Sequence, residues 1–432
     1  MNFPKSKITV FVSVTILIYL IAKAFSAGTD INVYLFASKQ LFKGENIYIA
    51  NPFNNYLYSP LFALLLRPIS IFDYGISRVI WAIINAALAV RLWNITSHLI
   101  KNSIGIDTKL FIRWTIGVII ISLGFLNHNL ILGQITIVIL WLTFEGLYQI
   151  INQNKPFIGA LFLALGITIK IIPLIGLFYL FFKGKYKAVL ICIGFVIGGL
   201  FLPSAIIGHD YNMKMLHNWA ETINPTSNKY VLENDNGNQA LNAILPAYFY
   251  DFNDVVEAPA NLKRQIVSVP YNILIIIMQT MRVLFLFSIL IPIFYRYKQR
   301  KTEPLYFYWQ FSYLALVSIL IFPHQQKYAM LYFVPAGAYI ILFVLLIFRL
   351  NWDVSLKYKA IAILASLLMF ISAIMGRDIV GDYLVNIFDY YHAFGLINIV
   401  FLVFLILVKP NLLIEMNNKT LANTNIDVLY NK

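Results

Sequence analysis

The sequence predicts an all-α polytopic membrane protein. Of its 432 residues, 60% are hydrophobic and only 12% are charged, and the mean hydropathy is +0.75. Apolar runs of roughly 15 to 25 residues recur along the chain, which is the length that a helix needs to cross the hydrocarbon core. An outer-membrane barrel would instead show shorter segments of alternating polarity. Short loops that carry Lys and Arg separate the runs, as expected of connected spanning helices.

The positive charge of the chain is interpreted as a topology signal. The formal net charge is +14, and most of the 33 basic residues fall in short loops between apolar runs. This is the distribution expected of cytoplasmic loops, and no DNA-binding or RNA-binding motif accompanies it. We therefore predict the lipid bilayer, and no nucleic acid, as a partner. The single cysteine, Cys192, lies inside an apolar run and is assigned to packing.

The first apolar segment has two interpretations. Lys5 and Lys7 precede a run from Ile8 to Ala22, and small residues follow it, as in a cleavable signal peptide. We favour an uncleaved first helix, because more apolar segments follow and the polar loop would otherwise begin at a free terminus.

The chain contains eleven apolar segments. They fall at 8 to 25, 74 to 99, 112 to 126, 131 to 149, 157 to 182, 188 to 207, 269 to 294, 304 to 322, 328 to 348, 359 to 375 and 392 to 408. With the N-terminus inside, a single span at 157 to 182 would put Lys183, Lys185 and Lys187 outside, against the positive-inside rule. A helical hairpin of two short segments, turning between Ile169 and Pro173, removes the conflict.

The hairpin rests on two residues. A charged Lys170 and a helix-breaking Pro173 stand in the middle of an apolar run. The count then becomes about 12 transmembrane or half-membrane helices, with the C-terminus inside. We predict one transmembrane domain over residues 1 to 409, with outer loops at 26 to 73 and 208 to 268, and a short, solvated cytoplasmic tail over 410 to 432.

The first outer loop holds the main candidate for catalysis. Asp30 follows the first apolar segment, and aromatic neighbours such as Tyr34 would desolvate its carboxylate and raise its affinity for a proton. Such an acid can take a proton from a hydroxyl group. The alternative role is an N-cap, because Thr29 and Asp30 precede a predicted helix from Ile31 to Phe42.

Other polar residues collect on the same predicted face. Gln134 begins an apolar segment after Asn129, and its amide would bind sugar hydroxyls or cap a helix. Lys170 would meet a lipid phosphate or extend to the interface. Asn238 and Gln239 lie in a stretch that also fits a simple turn. His324 would hydrogen-bond a phosphate or hydroxyl, or simply begin a helix.

Motifs of soluble enzymes are not present. The sequence contains no P-loop, dinucleotide-binding turn, HExxH or GxSxG, and its six histidines lack metal-ligand spacing. We therefore predict chemistry without a metal or cofactor.

The order of these motifs resembles glycosyltransferase family 87, whose members are polytopic enzymes of the GT-C type. The resemblance covers most of residues 8 to 340. It is carried by Asp30 with Tyr34, Gly44 with Tyr48, Tyr58 with Pro60, Asn129, Gly133 with Gln134, Lys170 with Pro173, Gly237 to Gln239, and His324. Each motif is short, and their order makes the match specific. Two positions depart from the family pattern, since Ala240 and Gln325 stand where the family often has Ser and an aromatic residue or a second His.

The resemblance implies a function. Members of the family transfer a sugar, usually mannose, from a polyprenyl-phosphate carrier on the extracytoplasmic face, with inversion at the sugar carbon. Asp30 would be the general base. The substrate-binding residues would be Tyr34, Tyr58, Asn129, Gln134, Lys170, Asn238, Gln239 and His324. A cation such as Lys170 or a histidine would stabilise the departing phosphate without a metal.

The implied partners are a polyprenyl-phosphate sugar donor, a glycolipid or glycan acceptor and the bilayer of a bacterial inner membrane. The alternative is a transporter or flippase of lipid-linked sugars, but such proteins usually show internal repeats and acids at mid-membrane. Here the acids stand at the predicted outer edge.

Overall fold

The computed structural model describes residues 22, 29 to 49, 51 to 224, 231 to 252, 262 to 295 and 303 to 430, with side chains as far as residue 421. Within these ranges the regular structure is helical, and no strand occurs. The predicted all-α class is confirmed. Apart from Ala22, the first apolar segment at 8 to 25 lies outside the described residues.

The described helices of the first half of the chain include three of six residues or fewer. In order they are Thr29–Leu41, Pro60–Leu65, Arg67–Ser70, Tyr74–Ile104, Thr108–Leu132, Thr136–Ile151, Pro156–Ile169, Leu174–Phe182, Tyr186–Phe201, Ser204–Ile207 and His209–Thr222.

The helices of the second half are longer on average. In order they are Leu241–Phe249, Tyr271–Ser288, Leu290–Phe294, Glu303–Ile321, a 3₁₀ helix at Lys327–Phe333, Val334–Arg349, Leu356–Ile374, Arg377–Tyr390, Ala393–Leu407 and Pro410–Tyr430.

Seven helices in the described residues are long and apolar enough to cross a membrane. An eighth span is formed if Arg377–Tyr390 and Ala393–Leu407, which meet at an angle of 64°, are counted together. Shorter apolar helices accompany them, among them Thr136–Ile151 and Pro156–Ile169. The predicted apolar segments within the described residues are mainly helical, with interruptions at residues 133 to 135 and 170 to 173. Full spans and shorter helices together make a polytopic membrane protein, as predicted.

The predicted interruption at Lys170 is present. One helix ends at Ile169, Lys170 has an extended backbone conformation, and the next helix starts at Leu174. Pro173 cannot donate a backbone hydrogen bond, so the break falls where the sequence predicted it. Whether Lys170 and Lys185 lie on opposite faces of the membrane stays a prediction.

The described chain forms two compact units. The first contains residues up to Leu92, Leu126–Leu174 and Tyr186–Asn224. The second contains Trp93–Phe125, Ile175–Lys185 and the residues from Pro225 onwards. The single domain predicted for residues 1 to 409 stays a prediction.

Two close contacts build the first unit. At Gly146 and Gly159, two apolar helices approach so closely that a Cβ on Gly159 would lie 2.5 Å from the carbonyl oxygen of Gly146. Small residues allow such backbone contact between membrane helices. Nearby, Arg91 binds Glu145 through the side-on edge of its guanidinium, with Nε and Nη2 each 2.7 Å from a carboxylate oxygen.

The second unit is built around the helix Glu303–Ile321, which is buried from Leu305 to Leu320. A helix that is apolar on all sides is expected in a core of this kind. Buried indoles attach neighbouring helices, since Trp309 donates to the carbonyl of Leu405 and Trp114 donates to the carbonyl of Ala338, each at 2.8 Å.

The segment that was predicted as a solvated tail is partly buried as far as its side chains are described. Residues Pro410–Tyr430 form a helix in which Leu413, Met416 and Asn417 are buried. Asn417 donates a hydrogen bond to the carbonyl of Ile104 at 2.8 Å. The helix therefore packs on the second unit through residues spaced three and four apart.

Candidate active site

Asp30 lies in the first turn of the helix Thr29–Leu41. It follows Thr29 within that helix, so it is not the N-cap residue. Its Oδ2 atom accepts a hydrogen bond from Nε2 of Gln134, which stands 104 residues later in the chain. The fold of the first unit therefore joins the candidate base to a residue that the sequence predicted for the same site.

Gly133 makes the contact between Asp30 and Gln134 possible. Its backbone is left-handed, with φ at +69°, and a Cβ would lie 2.6 Å from Cγ2 of Ile31. Only glycine accommodates both conditions. The carbonyl of Gly133 accepts a hydrogen bond from Nε1 of Trp81 at 2.9 Å, which fixes the turn.

Two tyrosine hydroxyls continue the network. Tyr34 stands one helical turn after Asp30, and its hydroxyl lies 3.2 Å from that of Tyr58 and donates to Oε1 of Gln134 at 3.4 Å. The two rings meet edge to face, with centroids 5.0 Å apart. Both residues are buried. Gln134 thus links the carboxylate to a pair of hydroxyl groups.

Lys170 brings a positive charge to the same unit. Its Nζ atom lies 5.9 Å from the centroid of the Tyr58 ring, and its charge acts on Asp30. The extended backbone at Lys170 places this side chain at the end of the interrupted helix rather than along its side. Asp30 and Lys170 belong to the same unit, and their convergence on one pocket stays a prediction.

The surroundings of Asp30 change its affinity for a proton. Burial raises the pKa of the Asp30 carboxyl, and the hydrogen bond from Gln134 and the charge of Lys170 only partly oppose this effect. A carboxylate with a raised pKa binds a proton more readily, which suits a general base that acts on a hydroxyl group.

Asn129 contributes through its main chain. Its carbonyl accepts the backbone N–H of Gln134 at 2.9 Å, and the residue is 1% exposed. This contact closes the turn that contains Gly133. Direct substrate binding by the Asn129 side chain stays a prediction.

The aromatic loop of the first unit has anchors that the sequence did not reveal. Tyr48 donates to the carbonyl of Tyr58 at 2.8 Å, and Trp219 donates to the carbonyl of Leu57 at 3.3 Å. Trp219 belongs to the amphipathic helix His209–Thr222, which also carries Tyr211 onto the carbonyl of Glu45. Bulky aromatic residues with one polar group are suited to this use, but their partners cannot be read from spacing.

The remaining predicted residues lie in the second unit, around Glu233. The Glu233 side chain is 10% exposed and accepts hydrogen bonds from Nδ2 of Asn238 at 2.7 Å and from Nδ2 of Asn242 at 2.9 Å. Nδ1 of His324 faces the same carboxylate at 3.4 Å. Glu233 was not predicted, since it is one of several acids in a long outer loop.

Asn238 and Gln239 hold the segment that contains His324. Oδ1 of Asn238 accepts the backbone N–H of Gln325 at 3.0 Å, and the N–H of Gln239 donates to the carbonyl of Gln325 at 2.8 Å. Both predicted residues are buried. They fix the backbone on which His324 stands, and their direct contact with substrate stays a prediction.

His324 has an unusual backbone. Its φ is +60°, a conformation that costs a residue with a side chain about 1–2 kcal/mol. Its side chain is 40% exposed. The contacts of Asn238 and Gln239 with Gln325 maintain this conformation, which leaves part of the imidazole accessible. Strain of this kind collects at functional sites.

A second histidine joins this cluster. Nδ1 of His392 donates to the carbonyl of Asn238 at 2.7 Å, and Arg264 donates to Oδ1 of Asn236 at 2.6 Å. Neither residue was predicted. Among the residues that the structure describes, no group of three or more His, Cys, Asp or Glu is arranged to hold a metal ion. Metal-independent chemistry stays a prediction.

Comparison with known proteins identifies one family. No curated protein and no solved structure matches the chain. The family model of glycosyltransferase family 87 matches residues 56–323, which is more than half of the 432 residues. Asp30 and Tyr34 precede the matched range, and His324 follows it directly. On this evidence the chain belongs to glycosyltransferase family 87.

Proposed function

We propose that this membrane glycosyltransferase moves a hexose, with mannose as the first candidate, from a polyprenyl-phosphate carrier to a lipid or glycan acceptor of the cell envelope. The reaction takes place on the extracytoplasmic face of a bacterial inner membrane, inverts the sugar carbon and needs no metal. Membership of a glycosyltransferase family favours transfer over the transport of lipid-linked sugars.

The observation that carries the proposal is the network around Asp30. A partly buried carboxylate is held by Gln134, lies in the field of Lys170 and adjoins the hydroxyls of Tyr34 and Tyr58. One base, one cation and several hydrogen-bonding groups are the parts that a metal-independent sugar transfer requires.

The chemistry is a single displacement. The Asp30 carboxylate takes the proton of an acceptor hydroxyl, and the acceptor oxygen forms a bond to the anomeric carbon of the sugar. The bond between that carbon and the phosphate oxygen breaks, and its electron pair leaves with the polyprenyl phosphate. Lys170 supplies positive charge for the anion that develops, because a charge in a site that excludes water is stabilised strongly by a nearby ion.

The tyrosines have a separate role in this proposal. Tyr34 and Tyr58 present hydroxyl groups from an aromatic cluster that includes Phe62 and Trp81. Aromatic faces and hydroxyl groups together suit a sugar, which offers both C–H surfaces and hydroxyls. They would orient the sugar, while Asp30 and Lys170 carry out the proton transfer and the charge stabilisation.

The test replaces Asp30 with Asn, which keeps the size of the side chain and removes the base. Purified protein is given a panel of polyprenyl-phosphate sugars together with an envelope lipid extract, and release of free polyprenyl phosphate is measured. We expect Asp30→Asn to lose at least about 100-fold in rate. The matched control, Asp210→Asn, changes an exposed acid of the same unit and keeps full activity. Full activity of Asp30→Asn would remove Asp30 from the mechanism.

The side of the membrane is tested separately. Single cysteines are placed at Lys170 and Lys185 in a chain in which Cys192 is replaced by Ala, and each is labelled in intact cells with a reagent that does not cross the membrane. We expect labelling at 170 and protection at 185. Labelling of both positions from outside would contradict the predicted hairpin and the extracytoplasmic site.

A further inference from the structure

Arg282 is a charged residue in an apolar span. It is the only charged residue between Tyr271 and Phe294, and this pair of helices is apolar enough to cross a membrane. Arg282 stands eleven residues after Tyr271, about 16 Å along the helix axis at 1.5 Å per residue. A charge at the middle of a span is expensive to keep there, and residues of this kind usually have a functional role.

The helix directs Arg282 towards protein and not towards lipid. Leu274 and Met278 precede it at intervals of four residues on the same helical face, and both are fully buried. Ile276 and Leu284 stand on other faces and are 65% and 59% exposed. Arg282 therefore lies on the face of the helix that packs into the second unit.

The side-on edge of the Arg282 guanidinium has two N–H groups without a protein acceptor in the described part of the chain. Its Nε and Nη2 atoms are buried and have no hydrogen-bond partner among the described residues. These two N–H groups point in parallel, which matches two oxygens of a carboxylate or phosphate. In the first unit the same edge of Arg91 binds both oxygens of Glu145.

Glu233 explains why the charge is tolerated but does not satisfy it. The negative charge of Glu233 acts on Arg282, which lowers the cost of a buried cation. Its carboxylate oxygens already accept hydrogen bonds from Asn238 and Asn242 and face His324. Two buried N–H groups without an acceptor remain unfavourable until an oxyanion supplies two acceptors.

We propose that Arg282 binds the phosphate group of a membrane lipid through its side-on edge, at a site in the second unit. A lipid is the favoured source because Arg282 belongs to a membrane-crossing segment. A phosphate that is joined to a hydrocarbon chain can approach such a segment from the bilayer, whereas free phosphate would have to leave water alone. The inference deepens the proposed function and depends on it for the identity of the lipid, a polyprenyl phosphate.

The experiment measures binding and needs no turnover. Full-length protein in phosphatidylcholine nanodiscs is titrated with radiolabelled polyprenyl phosphate, and bound lipid is counted. We expect Arg282→Gln to bind at least about 10-fold more weakly than the wild type, because a charged and bidentate contact is lost. Arg282→Lys keeps the charge without the parallel pair of N–H groups and should be intermediate. Arg113→Gln, an exposed arginine in another span, should bind as the wild type does.

Four other binding results would contradict the proposal or one of its parts. Equal binding by the wild type, Arg282→Gln and Arg282→Lys overturns the site. If Arg282→Gln does not fold, as judged by size-exclusion chromatography, equal binding by Arg282→Lys and the wild type overturns the bidentate contact. Displacement of the lipid by equimolar inorganic phosphate overturns the assignment to a lipid and indicates a free-phosphate site. A wild type that binds no polyprenyl phosphate counts against the proposed donor itself, not only against Arg282.

Discussion

Replacing Gly133 with Ala tests whether the turn before Gln134 positions the candidate base. The new Cβ would lie 2.6 Å from Cγ2 and 2.7 Å from Cβ of Ile31, the residue that follows Asp30. Either the turn or the start of the helix Thr29–Leu41 must move, so the contact between Asp30 and Gln134 is disturbed from both sides. The backbone conformation also becomes unfavourable, since φ is +69°.

The expected magnitude has two parts. A left-handed alanine costs about 1–2 kcal/mol, and forcing an extra carbon into a filled space costs about 1–3 kcal/mol. Gly133→Ala should therefore lose about 2–5 kcal/mol of unfolding free energy. Gly44→Ala is the matched control, because its φ is +77° and no atom lies within 4 Å of the added Cβ. It carries only the backbone part, about 1–2 kcal/mol.

Two assays read the result. Thermal unfolding of the purified variants reports stability, and release of polyprenyl phosphate at a temperature where both variants are folded reports activity. A displacement near 1 Å at a reacting group can reduce a rate about 100-fold, so Gly133→Ala should lose activity far beyond Gly44→Ala. Equal losses of stability and of activity in the two variants would refute the steric explanation.

Three further predictions concern single side chains. Activity should rise with pH as the Asp30 carboxyl loses its proton, around its raised pKa. The hydrogen bond from Gln134 lowers this pKa, so Gln134→Leu should raise the pKa and move the acid limb of the pH–rate profile to higher pH. Gly159→Ala should lower the free energy of unfolding by about 1–3 kcal/mol, measured by thermal unfolding, because the added Cβ meets a backbone carbonyl oxygen. Gly194→Ala is the control and should not lower it, because no atom lies within 4 Å of the added Cβ. Glu233→Gln should lower the free energy of unfolding by about 1–3 kcal/mol, because Asn238 and Asn242 lose a charged hydrogen-bond acceptor. Denaturant unfolding measures this loss.

Each of these has a clear contrary result. An acid limb that stays in place or moves to lower pH in Gln134→Leu would show that the amide does not act on the carboxylate of Asp30. Similar stability of the two glycine variants would deny the close helix contact. For Glu233, the exposed Asp251→Asn is the control, and equal stability of the two variants would deny a special role for the buried carboxylate.

The local features of the fold were predictable from residue types. A lysine and a proline inside an apolar run predicted the break at Lys170 and Pro173, because each disfavours a continuous membrane helix. The helix predicted from Ile31 to Phe42 is observed as Thr29–Leu41. Such features depend on neighbours in the chain, which the sequence contains in full.

Burial within the membrane was harder to predict. The helix Glu303–Ile321 is less apolar than the helix Tyr186–Phe201. The first is nevertheless buried along most of its length, whereas the second has only Ala188 and Cys192 buried. Lipid and protein interior accept the same side chains, so composition does not separate them. In the tail, the spacing of Leu413, Met416 and Asn417 was a usable signal, and the Asn-rich composition concealed it.

Only part of the candidate site could be predicted from the sequence. The order of short motifs identified Asp30, Gln134 and Lys170, which the fold brings together. Glu233 and Arg282 were missed, because one acid in an acidic loop and one arginine in a long span are distinguished only by what surrounds them in three dimensions. The role of an isolated polar residue depends on the side chains around it, and those side chains are distant in the chain.

The hydrogen bond between Asp30 and Gln134 also constrains the order in which the protein can mature. During synthesis the ribosome must add 104 further residues after the carboxylate before its amide partner exists, and Lys170 comes later still. Until then the acid emerges without its partners and remains ionised in water. Nascent chains shorter than this cannot assemble the candidate site, which therefore forms only after several helices of the chain have been synthesised.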